Sequence, residues 1–282
     1  MSQAAEPVEI SGEFRRPRNL AQEIKGSIHD DATASKLGFR GGTVAGSVHM
    51  DQFVPALLEL YGPDWFRRGT LSLTFKHATV DNEAVRVFAQ AGEARARLWM
   101  ENEAGDIVGE GTGSCGGPDP QSEVRQRLEG QGIVGAETLR ILGKLKLAPM
   151  GEDVIVSASA TKRLDTITEP LPAYEGKDDR IAGSVLPPSA CVQLFCSVQR
   201  QRLDLDGPAV GLYGAIEIEY IDGPLLADTE YSSHARILAL SESPKTENLW
   251  WEVVLSDPRS GREVARMLQY LRFLKGSSKL YG

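Results

Sequence analysis

The sequence predicts an α+β fold built as two tandem halves, each an antiparallel sheet wrapped on one central helix. Three observations carry this. Blocks of similar pattern recur in the same order in both halves. Each half opens on an apolar segment of helical period. Each then continues in strictly alternating segments, the period of half-buried strands.

The helical block GGTVAGSVHMDQFVPALLELYG (41–62) is answered by AGSVLPPSACVQLFCSVQRQRLD (182–204). Met50, Val54, Leu57 and Tyr61 recur at helical spacing, as do Cys191, Leu194, Phe195 and Val198. A helix of about four turns is expected near 47–61 and another near 189–203. Pro55 should kink the first, whereas Pro187 and Pro188 suit a first turn. Next, GTLSLTFKHATVDNEAV (69–85) matches GAIEIEYIDGPLLADTEY (214–231), with Leu71, Leu73 and Phe75 alternating as Ile216, Ile218 and Tyr220 do. Finally, LWMENEAGDIVGEG (98–111) and LWWEVVLSDPRSGREVARM (249–267) each read as two strands around a turn, supplied by Gly105 and Gly261. The stretch VIVSASATKRLDTI (154–167) reads as a strand ahead of the second helix. A polar, Pro/Gly-rich run, GGPDPQSEVRQRLEGQG (116–132), separates the halves. The expected division is 1–117, a linker over 118–135, and 136–282.

Composition narrows the function. The 282 residues are 41% hydrophobic and 25% charged, with a net charge of −8. Basic residues cluster no further than pairs such as Arg15–Arg16 and Arg67–Arg68, so nucleic acid is not an expected partner. The N-terminal MSQAAEPVEI has no apolar leader core, and no apolar run approaches the roughly eighteen residues of a membrane span. A cytoplasmic protein without membrane attachment is expected. Cys115, Cys191 and Cys196 lack metal-type spacing and read as buried free thiols; no metal and no cofactor is expected.

One stretch stands apart: GSIHDDATASKLGFRGGTV (26–44) sets a single histidine among carboxylates and glycines. Ile28-His29-Asp30-Asp31, then Ala34, Leu37-Gly38-Phe39, Gly42 and Val44-Ala45, resemble the double-hotdog members of the MaoC-like (R)-specific enoyl-CoA hydratase and dehydratase superfamily. FKHATVDNE and YIDGPLLADTE, the latter through Ala227-Asp228-Thr229, resemble the stretch before that family's Gly-Asp turn. The resemblance covers most of the chain. It implies a double hotdog: two tandem antiparallel sheets, each wrapped on its helix.

It also implies chemistry on an acyl thioester of coenzyme A or of an acyl carrier protein, with water added to or removed from the acyl group. Such a reaction needs a base and an acid within hydrogen-bond reach, and donors for the charge that grows on the thioester carbonyl. His29 takes the place of the family's histidine. Where the family has Asp five residues before it, Asn three before and Pro two before, this chain has Ile24, Gly26 and Ser27. Glu23 lies one residue further upstream and could substitute for the missing Asp. Asp31 is expected to cap the short helix that follows. The carbonyl site is expected at the N-terminus of the first long helix, on the backbone of Gly46 and Ser47.

Two further histidines bear on substrate binding. His49 lies in the first turn of that helix, with Asp51 two residues on; hotdog thioesterases commonly draw a carboxylate from near this helix. His77 continues the inward parity of Leu71, Leu73 and Phe75, so it either lines a cleft or finishes the core. The second half has no histidine over 168–183, and its proline pair removes donors a carbonyl site would need. A single site in the first half is expected, with the second half shaping a substrate tunnel. Three readings stay open: a hydratase or dehydratase using His29; a thioesterase in which Asp51 or Glu23 activates water; and a non-catalytic acyl-binding protein. A homodimer is compatible with any of them.

Overall fold

The computed structural model describes residues 8–159 and 161–282. Residues 1–7 of the expected leaderless N-terminus, and residue 160 of the expected 154–167 strand, lie outside the described residues.

In chain order the first half contains β1 (Glu9–Ser11), α1 (Asp31–Lys36), α2 (Gly46–Asp51), α3 (Val54–Tyr61), α4 (Trp65–Arg68), β2 (Gly69–Phe75), β3 (Val85–Gln90), β4 (Ala96–Asn102) and β5 (Ile107–Cys115). After α5 (Glu123–Glu129) come β6 (Val154–Val156), α6 (Thr161–Leu164), α7 (Pro188–Cys196), β7 (Gly211–Tyr220), β8 (Tyr231–Glu242), β9 (Thr246–Ser256) and β10 (Glu263–Leu274). The ten strands among the described residues form one sheet in the order β1-β3-β4-β5-β2-β7-β10-β9-β8-β6, every neighbouring pair antiparallel.

That order is a palindrome of roles. In each half the strand after the central helix lies innermost (β2, β7), the last strand beside it (β5, β10), and the short leading strand at the rim (β1, β6). The halves join through β2 and β7, where Leu71 pairs with Ile218 and Leu73 with Ile216. All four side chains are fully buried or within 1% of it. Joining the innermost strands removes two sheet edges that would otherwise expose unpaired backbone. The glycine turns are where the pattern put them: Gly105 and Gly261 sit at φ +83° and +71°, a region open to glycine.

The first central helix departs from expectation. It is two short helices, α2 and α3, interrupted at Gln52 and Phe53. Pro55 explains the break, because it offers no N–H to the Asp51 carbonyl four residues back and its ring crowds that carbonyl. Instead of kinking an interior, Pro55 occupies the first turn of α3, where a missing donor is harmless. The second central helix, α7, is shorter than expected and ends at Cys196. The Ser197 hydroxyl then donates to the Leu194 carbonyl, and the chain tightens into a 3-10 turn over Gln199–Arg202. Only Gln193 of α7 is exposed, as suits a helix held between sheet and partner helix.

The strand expected over 154–167 is confined to β6. Its pairing stops at Val156, opposite Tyr231, because β8 begins there. The segment 118–135 holds α5, which lies on the joined sheets. Its cap Ser122 accepts from Arg125 N–H, and Arg125 reaches Glu217 and Glu219 on β7, both at 2.8 Å. Among the described residues no helix is long and apolar enough to cross a membrane.

Candidate functional site

His29 stands on the loop before α1 and is held from several sides. Its carbonyl accepts from Asn19 Nδ2 at 2.8 Å, and Asn19 is itself anchored by its N–H to Asp81 at 2.7 Å. Gly42 passes so close that an added Cβ would lie 2.2 Å from the His29 carbonyl oxygen. The Thr43 N–H donates to the Ile28 carbonyl, and the Thr43 carbonyl lies 2.7 Å from His29 Nδ1. A carbonyl oxygen only accepts, so Nδ1 carries the proton and the neutral ring keeps its lone pair on Nε2. No described residue hydrogen-bonds to Nε2. Burial lowers the His29 pKa from its ordinary value, the Thr43 bond works against that shift, and the nearby Arg200 guanidinium adds to it. The net lowering favours the neutral ring.

Asp31 does not cap α1. Asp30 occupies the N-cap position, and its carboxylate receives Thr33 Oγ1 and Lys25 Nζ. Asp31 Oδ1 instead accepts from the Gly42 N–H at 2.7 Å, locking the returning turn against the start of the helix.

His29 sits between two cavities. One, of about 290 Å³, is lined by Gly46, His49, Phe75 and His77 of the first half and by Tyr213 and Arg272 of the second. The other, of about 790 Å³, is lined by Ser47, Arg163, Gln193 and Cys196 among others. Ile28, His29, Ala45, Arg200, Gly211 and Tyr213 border both. The sequence-predicted residues His29, Gly46, Ser47, His49 and His77 thus come together on one site shared by the halves. Gly46 has a packing reason to be glycine, since a Cβ there would press 2.8 Å against the Phe75 ring.

His49 is buried, with Nε2 2.8 Å from Thr79 Oγ1 and Nδ1 without a partner among the described residues. Burial pushes its pKa down to about 4, so it lines the cavity as a neutral group. His77 is half-buried on the cavity wall, its Nε2 3.4 Å from Arg40, and does not finish the core.

The two candidate carboxylates are elsewhere. Glu23 is exposed and lines neither cavity. Asp51 is buried at the joint between α2 and α7, accepting from Ser189 N–H at 2.7 Å and Ser189 Oγ–H at 2.6 Å. Burial raises its carboxyl to about 7, opposed by the two Ser189 bonds. Cys191 and Cys196 are buried with thiols pushed up to about 12, whereas Cys115 is half-buried; all three are free. His234 pairs with Asp153 on the exposed face of β8.

Sequence reasoning missed Asn19, Thr43, Arg200, Tyr213 and Arg272. Asn19 and Thr43 act through backbone contacts that no motif marks. The other three come from the second half, and only the repeat itself hinted that its segments would return to His29.

The chain's likeness to known proteins lies in its structure. No protein-family profile matches it, and no curated protein matches its sequence. Solved structures do match along nearly the whole length. A protein described as a MaoC domain dehydratase from Chloroflexus aurantiacus aligns at TM-score 0.62 and 11% identity, over 96% of this chain and 95% of that one. Rv0216 of Mycobacterium tuberculosis, whose structure is described as a double hotdog, aligns at 0.61 and 12%, over 96% and 97%. This chain is a double hotdog. A MaoC-like dehydratase aligns to it at 0.53 and 10%, over 96% and 99%.

Proposed function

We propose that the protein is a hydratase or dehydratase of an acyl thioester, with His29 as its acid and base. The observation that carries this is the orientation of the imidazole. Nδ1 is tied to the Thr43 carbonyl, which leaves Nε2 as the basic nitrogen, without a partner among the described residues, on a residue that borders both cavities. The likeness of the fold to proteins described as MaoC-type dehydratases agrees with it.

Among the described residues no Asp or Glu lines either cavity, so the one ring serves both proton transfers. In the dehydration direction Nε2 takes a proton from C2 of a 3-hydroxyacyl thioester. The electron pair moves onto the thioester oxygen, which faces the Gly46 and Ser47 N–H groups in the first turn of α2. The pair then returns to form the C2–C3 double bond. The C3 hydroxyl leaves with the proton from Nε2, released as water, and the ring is again neutral. Hydration is the reverse.

A second reading rests on the same absence of carboxylates: the pocket holds an acyl thioester without turning it over. Hydrolysis has less support, since Asp51 is engaged by Ser189 and Glu23 is outside the lining. Incubation with 3-hydroxyacyl, enoyl and saturated acyl thioesters, following water addition and thiol release together, separates the readings. Reversible water addition without thiol release supports the proposal; binding without either reaction supports the second reading.

A further inference from the structure

The charge on the cavity walls runs against the charge of the protein. The chain carries 39 Asp and Glu against 31 Lys and Arg, yet among the described residues no carboxylate lines either cavity beside His29. Their charged linings are Lys76, Arg163, Arg200 and Arg272. Two of these are accounted for. Lys76 Nζ is 3.0 Å from Glu110, and the charge that acts on Arg163 is that of Asp51. Arg40, beside His77 on the rim, is likewise paired with Glu83 at 2.7 Å. Arg200 and Arg272 differ: neither has a carboxylate partner among the described residues. Arg125 and Arg95 show the alternative, the first matched by Glu217 and Glu219 and the second by Asp119.

The Arg200 guanidinium and the Arg272 stem are each held by the second half. Arg200 follows the buried α7; its Nη1 donates to Tyr213 Oη at 3.2 Å and its guanidinium carbon lies 5.8 Å from the centre of that ring. Arg272 stands on β10 opposite Leu212 of β7, within the small cavity. Its stem crosses Gly214, where a Cβ would come 2.9 Å from Arg272 Cδ. Gly211, which lies against Arg200 Nη2, borders the same space. Two arginines of the second half thus line, together with His29 of the first, one space of about 290 Å³.

We infer that Arg200 and Arg272 bind an anionic group of the substrate, and that this group is a carboxylate on the acyl chain itself. The inference rests on the acyl-thioester reading above. A phosphate of the carrier offers the same chemistry, but it is separated from the sulfur by the whole pantetheine arm. The 290 Å³ cavity, the only one of the two that Arg272 lines, does not hold both the reacting carbonyl at Gly46 and that phosphate. A carboxylate a few bonds from C3 does fit, and guanidinium is the side chain whose planar fork matches it. Such an anion would also offset the Arg200 charge that lowers the His29 pKa, so that the acidic substrate restores basicity to its own base.

The test is equilibrium binding by calorimetry with thioesters of N-acetylcysteamine, which have no phosphate, and with their coenzyme A counterparts. Each is made with a short saturated acyl group ending in carboxylate or in methyl. Wild type is expected to bind the carboxylate form tighter by tenfold or more on either carrier. Arg200→Gln and Arg272→Gln, checked for unchanged melting, should each shrink that ratio, and the double variant should bring it near one. Equal affinity for both acyl groups overturns the inference. So does a preference for coenzyme A over N-acetylcysteamine that ignores the acyl end and vanishes in the same variants, which would assign the arginines to the carrier phosphate. Because the readout is binding, a failure of water addition would sink the hydratase reading without deciding this one.

Discussion

The Asp51 carboxylate at the end of α2 receives both the N–H and the hydroxyl of Ser189 at the start of α7, at 2.7 and 2.6 Å. The side chain that sequence offered as a water-activating group is a clasp between the two halves. It satisfies a helix N-terminal donor that Pro187 and Pro188 leave in place, and it does so where Asp51 is only 2% exposed. A carboxylate so placed couples the joint between halves to pH.

The sign follows from the raised pKa. Burial lifts Asp51 from 3.8 to about 7, so the folded protein binds a proton there that the unfolded chain has released. Stability tied to this group is full below about pH 4 and is lost as pH rises towards 7, on the order of 1 kcal/mol per unit. Glu169, also raised to about 7 by burial, adds a slope of the same sign. Denaturant melts of wild type and Asp51→Asn between pH 4 and 8 should show a flatter profile for the variant. Parallel profiles would remove Asp51 from the account.

Gly41 and Gly42 predict opposite outcomes from adjacent substitutions. At Gly41 an added Cβ meets Asp31 Oδ1 at 3.4 Å and Val80 at 3.5 Å, ordinary contacts. At Gly42 it meets the His29 carbonyl oxygen at 2.2 Å and Asn19 Nδ2 at 3.0 Å, so the His29 loop must move. Gly41→Ala should leave melting and turnover near wild type. Gly42→Ala should lose about 1–3 kcal/mol of stability and, through the displaced ring, on the order of 10²-fold in turnover. Thermal melts and initial rates on the same preparations check both.

The bond from Tyr61 Oη to the Gly113 carbonyl, 2.9 Å, ties α3 to β5, and the same oxygen accepts from Ala96 N–H of β4 at 3.0 Å. Tyr61→Phe keeps the packing and leaves that N–H and carbonyl without their partner. A loss of about 1–3 kcal/mol is expected, read as a lower denaturant midpoint at unchanged slope.

The repeat was legible because its signal is local. Leu71/Leu73 and Ile216/Ile218 alternate within one strand, and Gly105 and Gly261 mark turns through backbone freedom alone. The break in the central helix is encoded in Pro55, but a proline there is equally the sign of a kink, since sequence does not say whether the preceding turn continues. The first-half wall of the site was equally legible, through His29, His49 and the glycines around them. Its other wall was not. Arg200 and Arg272 are ordinary surface-type residues in their own segments; they acquire meaning only when the β2–β7 pairing carries them across to His29.

That juxtaposition fixes how activity should depend on pH. With neutral Nε2 as base, kcat/KM falls on the acid side as the ring protonates, and the free enzyme's His29 pKa sets the midpoint. Burial and Arg200 both hold that pKa below 6.5, so the acid limb should fall below pH 6.5. Arg200→Gln removes one of the two lowering causes and should shift the limb upward, whatever it does to the plateau. His29→Ala should abolish turnover with acyl-thioester affinity within a few-fold of wild type, because the ring acts on the transition state. Initial rates from pH 5 to 9 with a neutral enoyl thioester, beside calorimetric binding of its saturated analogue, test all three expectations. An acid limb unmoved in Arg200→Gln, or turnover surviving in His29→Ala, would take the proton transfers away from His29.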